Sequence, residues 1–194
     1  MAIKPFFRPV SPFNINQKFG ENTACVSLDG KNKVISCNGL KPPAGYKSLY
    51  GPKGHLGLDL MAKNGQPVYC SLEGVVDFID TQPKSGLDVR IVSRVGGVKY
   101  LHIYEHLLGH NMMYIGKQVK TGDCIGWADN TGYSAGDHLH FELKKWVNGV
   151  WVSVDPTPLM NDVFALDANT TYKILLEKLA VALELLVDIL RKNK

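Results

Sequence analysis

His138 and His140 stand two apart in the stretch Gly136-Asp137-His138-Leu139-His140-Phe141-Glu142-Leu143. In an extended strand alternate side chains share a face. Both imidazoles would then point one way, while Leu139 and Phe141 point into an apolar side. Two imidazoles aimed together out of a hydrophobic strand suit a metal ion, provided other residues complete its ligands. Gly54-His55-Leu56-Gly57-Leu58-Asp59-Leu60 offers them. On an extended segment His55, Gly57 and Asp59 share a face, and the glycine leaves room for a group to approach the backbone. His55, Asp59 and one histidine of the downstream pair make a two-His, one-carboxylate set. Three protein ligands leave the fourth position of a zinc ion open for water, as in a hydrolytic site, whereas a structural zinc is normally closed by four. The four cysteines show no Cys-x-x-Cys spacing, which excludes a zinc finger.

A third stretch, Tyr100-Leu101-His102-Ile103-Tyr104-Glu105-His106-Leu107, alternates as well. Tyr100, His102, Tyr104 and His106 are expected on one face, with Leu101, Ile103 and Leu107 on the other. Neutral histidine titrates near pH ~6.5, which suits proton transfer or stabilisation of developing negative charge. His102 and Tyr104 read as groove lining or ordinary strand residues, and His110 as a surface residue in a loop. Glu142 shares the histidine face and is a candidate to orient a ligand imidazole.

Taken together and in order, these motifs resemble the lysostaphin-type zinc endopeptidases, which cleave peptide bonds in bacterial peptidoglycan. Gln17-Lys18-Phe19-Gly20 is similar to the family's opening, His55-x-x-x-Asp59 to its first ligand motif, and Tyr104-Glu105-His106-Leu107 to its Tyr-x-His-Leu. Gly65 to Tyr69 and Gly74 to Val76 resemble the strands that follow the first ligand motif. Gly116 to Gly126 resembles its paired-glycine strand, and Thr131 to Glu142 its closing motif. The resemblance implies that His55, Asp59 and His140 bind one zinc ion and that His106 and His138 are unligated catalytic histidines. It also implies peptidoglycan as the substrate. Asp137 stands where the family often has proline, and Cys124 where a polar residue is common. The segment 22–53 is an insertion foreign to the family.

The elements that must hold these residues read as strands, namely Pro67 to Cys70, Gly74 to Asp80, Val89 to Ser93, Val98 to Leu107, Gln118 to Val119, Asp123 to Ala128 and His138 to Val147. Glycines separate many of them and no helical period intervenes, so the fold is mainly β, a compact antiparallel sheet or barrel-like core with an open groove. Residues 1–13, with Pro5, Pro9 and Pro12, read as an extended lead-in, 14–158 as the peptidase domain, and 159–194 as a linker and helix. Cys25 and Cys37 flank a hairpin centred on Lys31, which allows either a cross-strand disulfide or two free thiols. Cys70 and Cys124 read as core thiols.

From Thr170 to Lys192 the period turns helical. Tyr172, Leu176, Leu179, Leu183, Leu186 and Leu190 repeat at spacings of four and three, and the polar stripe is narrow. Such a C-terminal amphipathic α-helix must bury itself, by packing on the barrel or by self-association into a homo-oligomer. Glu177, Glu184 and Asp188 oppose membrane contact. The net charge of +4 is mild and no Lys/Arg run carries interleaved aromatics, which disfavours nucleic acid. The prolines near the start leave no secretory signal visible. An enzyme acting on cell wall without one is expected to be phage-borne or phage-released. The competing function is a catalytically silent scaffold that uses the same barrel, and zinc content with peptide hydrolysis discriminates the two.

Overall fold

The computed structural model describes residues 5–21, 26–27, 34–36, 54–164 and 183. The described residues are mostly strand. The chain opens with β1 (Phe6–Arg8) and β2 (Ile15–Gln17), then β3 (Val26–Ser27) and β4 (Val34–Ser36). β5 (Gly57–Met61), β6 (Pro67–Tyr69), β7 (Gly74–Gln82), β8 (Gly86–Val95) and β9 (Val98–His110) follow. β10 (Gln118–Val119), β11 (Cys124–Ala128), β12 (His138–Val147), β13 (Val150–Val154) and β14 (Met160–Phe164) complete the order.

β12 organises the main sheet. One edge pairs with β9. The other pairs first with β5, from His138 to Glu142, and then with β13, from Leu143 to Val147. The sheet continues antiparallel through β8, β7 and β10 on one side and through β2 on the other. β9 is the longest strand, and its far end leaves β12 to pair with β11, which also pairs β6. The alternation expected of β12 holds, because Leu139, Phe141 and Leu143 are fully buried in the core while His138, His140 and Glu142 line the opposite face. β5 repeats the pattern, with Leu58 and Leu60 buried and Asp59 on the groove side. Burying such side chains stabilises by about 1.5–3 kcal/mol each, and this apolar layer fixes the face on which the polar residues emerge.

The ends of the described core meet. β1 pairs in parallel with β14, Phe6 opposite Met160. Phe6 and Val10 are fully buried, so the extended lead-in is part of the core, and the start of the expected linker is strand β14. β3 and β4 pair antiparallel with Val26 opposite Ser36, in line with the expected hairpin. Cys25 and Cys37 and the C-terminal helix, apart from Leu183, lie outside the described residues. Cys70 is a buried free thiol, and burial pushes it up to about 12.

Candidate active site

Register brings Asp59 and His140 together. They sit directly opposite on β5 and β12, and Glu105 of β9 sits opposite His140 on the other side. His55 lies just before β5 and is almost completely buried. The opening motif holds it, for the Gly20 N–H donates to the His55 carbonyl (2.8 Å) and the His55 N–H donates to the Glu21 carbonyl (2.8 Å). Its Nδ1 donates to the Lys18 carbonyl (3.1 Å), which leaves Nε2 as a lone pair. Gly57 has a specific reason to lack a side chain. A Cβ there would stand 2.9 Å from His140 Nε2 and 2.5 Å from the Phe141 carbonyl oxygen. The group that the glycine admits is the imidazole of His140.

His55 Nε2, Asp59 Oδ1 and His140 Nδ1 form a nearly equilateral triangle with edges of 3.1, 2.9 and 3.0 Å. Three lone-pair atoms this close repel unless a cation or protons lie among them. Tetrahedral zinc, with Zn–N bonds of about 2.0–2.1 Å, sets its donors roughly 3.3 Å apart, so the triangle fits after opening by a few tenths of an ångström. The charge pattern agrees. Burial alone would raise Asp59, but the imidazoles of His138, His140 and His55 packed around it hold its carboxyl well below the usual range. Burial also works against a charged His140, yet the Asp59 hydrogen bond and the charge of Glu105 raise it to about 9. The proton that His140 shares with Asp59 is the one a metal ion in the triangle would displace.

His138 and His106 flank the triangle. His138 Nε2 is 3.5 Å from Asp59 Oδ1, and its Nδ1 donates to the Gly136 carbonyl (2.7 Å). The rings of His138 and His106 lie 4.7 Å apart between centroids. His106 Nδ1 donates to the Thr131 carbonyl (2.6 Å), so both rings keep Nε2 as the basic nitrogen. Gly132 seats that carbonyl, since a Cβ on it would lie 2.3 Å from the Gly86 nitrogen. Burial, and then the neighbouring His138, push His106 down to about 4.

The expected shared face of Tyr100, His102, Tyr104 and His106 is corrected here. Between Val89↔Tyr104 and Leu87↔Leu107 strand β9 spends one more residue than β8, a bulge. At it, His106 adopts φ +62°, a left-handed conformation uncommon outside glycine. The extra residue turns His106 into the groove and returns Leu107 to the core. His102 and Tyr104 do not line the groove. They are fully buried in a directional chain: the Ser71 N–H donates to Tyr104 Oη (2.8 Å) and Tyr104 donates to His102 Nδ1 (2.8 Å). His102 Nε2 then donates to Ser93 Oγ (2.8 Å), and Ser93 donates to the Glu73 carbonyl (2.6 Å). Burial drives His102 down to about 3. Glu142 shares the groove face, but its oxygens accept from Ser153 (2.6 Å) and pair with Lys144 (3.4 Å) rather than meeting an imidazole.

The five residues named by the family resemblance, His55, Asp59, His106, His138 and His140, therefore converge in one groove of about 1120 Å³. Residues 53–156 match the profile of peptidase family M23. The chain belongs to that family. The chain is 34% identical over 125 residues to the DD-carboxypeptidase/endopeptidase Mpg of Neisseria meningitidis serogroup B, covering 61% of this chain and 28% of that protein. Identity to the glycyl-glycine endopeptidase ALE-1 of Staphylococcus capitis is 35% over 125 residues, 59% of this chain and 34% of that protein. The chain thus spans 28% to 34% of the length of these curated relatives. The catalytic domain of the prophage-encoded M23 protein EnpA from Enterococcus faecalis has the same fold, with a TM-score of 0.52 at 27% identity over 78% of this chain and 95% of that one. All five site residues fall inside the M23 match, and the insertion 22–53 lies before it apart from its last residue.

Among the groove residues that spacing did not single out are Arg90 and Glu105, with the buried Asp88 behind the first of them. The signal for the pair was present, since Asp88 and Arg90 alternate with Leu87, Val89 and Ile91 on one strand.

Proposed function

We propose that this protein is a zinc-dependent endopeptidase that hydrolyses peptide bonds in the stem or cross-bridge of bacterial peptidoglycan. The observation that carries the reading is the triangle of His55 Nε2, Asp59 Oδ1 and His140 Nδ1 with two further histidines beside it. Membership of family M23 and the endopeptidase names of its relatives support the reading.

His55, Asp59 and His140 would hold the metal. Bound there, zinc supplies a Lewis acid that polarises the scissile carbonyl and acidifies water toward pKa ~7. The remaining chemistry is proton handling at the two free imidazoles. His138 stands beside the triangle and His106 against it, each with Nδ1–H fixed on a main-chain carbonyl. Each can take a proton at Nε2 from the attacking water, and each can return one to the leaving amine. Their fixed tautomers remove the cost of reorienting an imidazole during the reaction. The walls of the groove, from Tyr133 to Asp137 on one rim and Gln82 to Ser85 on another, would seat the peptide.

Peptidoglycan lies outside the cytoplasmic membrane, so this reading puts the reaction there. The segment from Thr170 to Lys192 would serve self-association or packing on the barrel, apart from the chemistry.

The test is release of new amino groups from purified peptidoglycan by wild type and His140→Ala, with zinc measured on both. About one zinc per chain and amine release, both lost in the variant, are expected. Absence of zinc from the wild type would overturn the metal assignment and leave a scaffold role.

A further inference from the structure

Arg90 is a cation held from two sides. It projects from β8 into the groove that holds the histidines. Its guanidinium lies 4.2 Å from the centroid of the Phe78 ring, and Asp88, fully buried, fixes one edge of it. Nε donates to both Asp88 oxygens, at 3.1 and 3.0 Å, and Nη2 donates to Oδ2 at 2.5 Å. A guanidinium has five N–H donors. Asp88 therefore takes the Nε–Nη2 edge, and the Nη1 hydrogens meet no hydrogen-bond partner among the described residues. The side chain is 31% exposed, enough to meet a ligand while its orientation stays fixed. Such a fork, already held flat, loses little freedom when a second carboxylate docks on its open edge.

The sheet sets the distance. Arg90 is opposite Ile103, and Ile103 is opposite Glu142, so Arg90 sits two strands from the strand that carries His138 and His140. At strand spacings of about 4.8 Å that is about 10 Å between the two backbones, a gap that the arginine side chain and a carboxylate beside the scissile amide span together. Glu142 is already engaged by Ser153 and Lys144. Glu105, one strand nearer His140, faces the same floor, and its charge opposes a carboxylate placed beside it.

We propose that Arg90 is the receptor for a free carboxylate carried by the substrate close to the bond that is cut. The inference rests on the peptidoglycan endopeptidase reading and sharpens it. A diaminopimelate residue cross-linked through its amine keeps a carboxylate on the carbon that bears the scissile nitrogen, whereas a glycine bridge has only hydrogen there. Arg90 thus selects acid-bearing cross-links over glycine bridges. It is a specificity residue, distinct from the groups that carry out the hydrolysis.

The test uses the full chain loaded with zinc and two cross-linked stem peptides. They are identical except that this carboxylate is free in one and a primary amide in the other. Wild type is expected to favour the acid by about 10–100-fold in kcat/KM. Arg90→Lys keeps a cation for Asp88 but loses the open edge, and should bring the ratio to within about threefold. Glu105→Gln should enlarge the ratio. A wild type that treats both peptides alike overturns the inference, as does an Arg90→Lys enzyme that retains the full preference or slows equally on both. Efficient cutting of glycine bridges with neither stem peptide touched also overturns it, while leaving the endopeptidase reading intact. Zinc-loaded enzyme that cuts no wall peptide of any kind removes the parent reading, and this inference with it.

Discussion

His102 and His106 lie four residues apart on β9, yet one closes a hydrogen-bonded chain inside the core and the other faces the groove. Both are depressed by burial, His102 to about 3 and His106 to about 4. Their surroundings differ in one respect. Every polar atom of the His102 ring has a protein partner, whereas His106 spends only Nδ1 on the protein. A histidine with both nitrogens satisfied is a structural crosslink. One with a nitrogen left toward a cleft has chemistry to offer. The difference comes from a single extra residue in β9 and a φ of +62° at His106, strain of order 1–3 kcal/mol that the surrounding fold must hold.

The comparison can be broken most forcefully at His106. His106→Ala should lower kcat/KM on wall peptides by about 10²–10⁴-fold with zinc content intact. Loss of zinc along with activity would mean that this ring is a ligand and not a proton carrier. Next in size is Gly57→Ala, whose Cβ meets His140 Nε2 at 2.9 Å. Zinc affinity measured by chelator competition should fall about 10–100-fold, as it does when groups supporting a ligand are disturbed. An unchanged affinity would show that the ring can move aside. His102→Leu should leave zinc content alone and cost about 1–3 kcal/mol in denaturant unfolding, since Tyr104 loses its acceptor in the core. A loss of activity without a loss of stability would place His102 in the chemistry.

The smallest effect is read through pH. His102 stays neutral in the folded chain down to about 3 but protonates near 6.5 once unfolded. The unfolded state therefore binds more protons between these values. Stability is complete above pH ~6.5 and falls as pH drops through the window, by up to about 1.4 kcal/mol per unit from this group. Comparing unfolding midpoints at pH 7.5 and 5 should show a steeper acid loss in wild type than in His102→Leu. Equal slopes would assign the acid sensitivity to other groups.

Most of the site is legible in the residues because alternation needs no knowledge of the fold. Once β12 is a strand, His138 and His140 must share a face, and the apolar partners Leu139 and Phe141 say which face. The pairing of Asp59 with His140 follows when β5 and β12 adopt one register. The face of His106 is not legible, because periodicity assumes regular pairing and a bulge is set by the neighbouring strand. The parallel contact of β1 with β14 joins residues about 150 positions apart and leaves no local trace. β13, by contrast, was readable: Asn148-Gly149, both with positive φ, is a strong hairpin signal just past the end of β12. The carbonyls of Lys18, Thr131 and Gly136 could not be found from residue types, since any residue offers one.

That last property has an evolutionary consequence. The tautomers of His55, His106 and His138 are each set by a main-chain oxygen, and no change of side chain at 18, 131 or 136 deletes one. The groove rims can drift in sequence, exchanging Tyr133 or Asp137 as a new ligand demands, while the proton inventory of the centre stays constant. Diversification of what is bound is thereby uncoupled from retention of how it is cut.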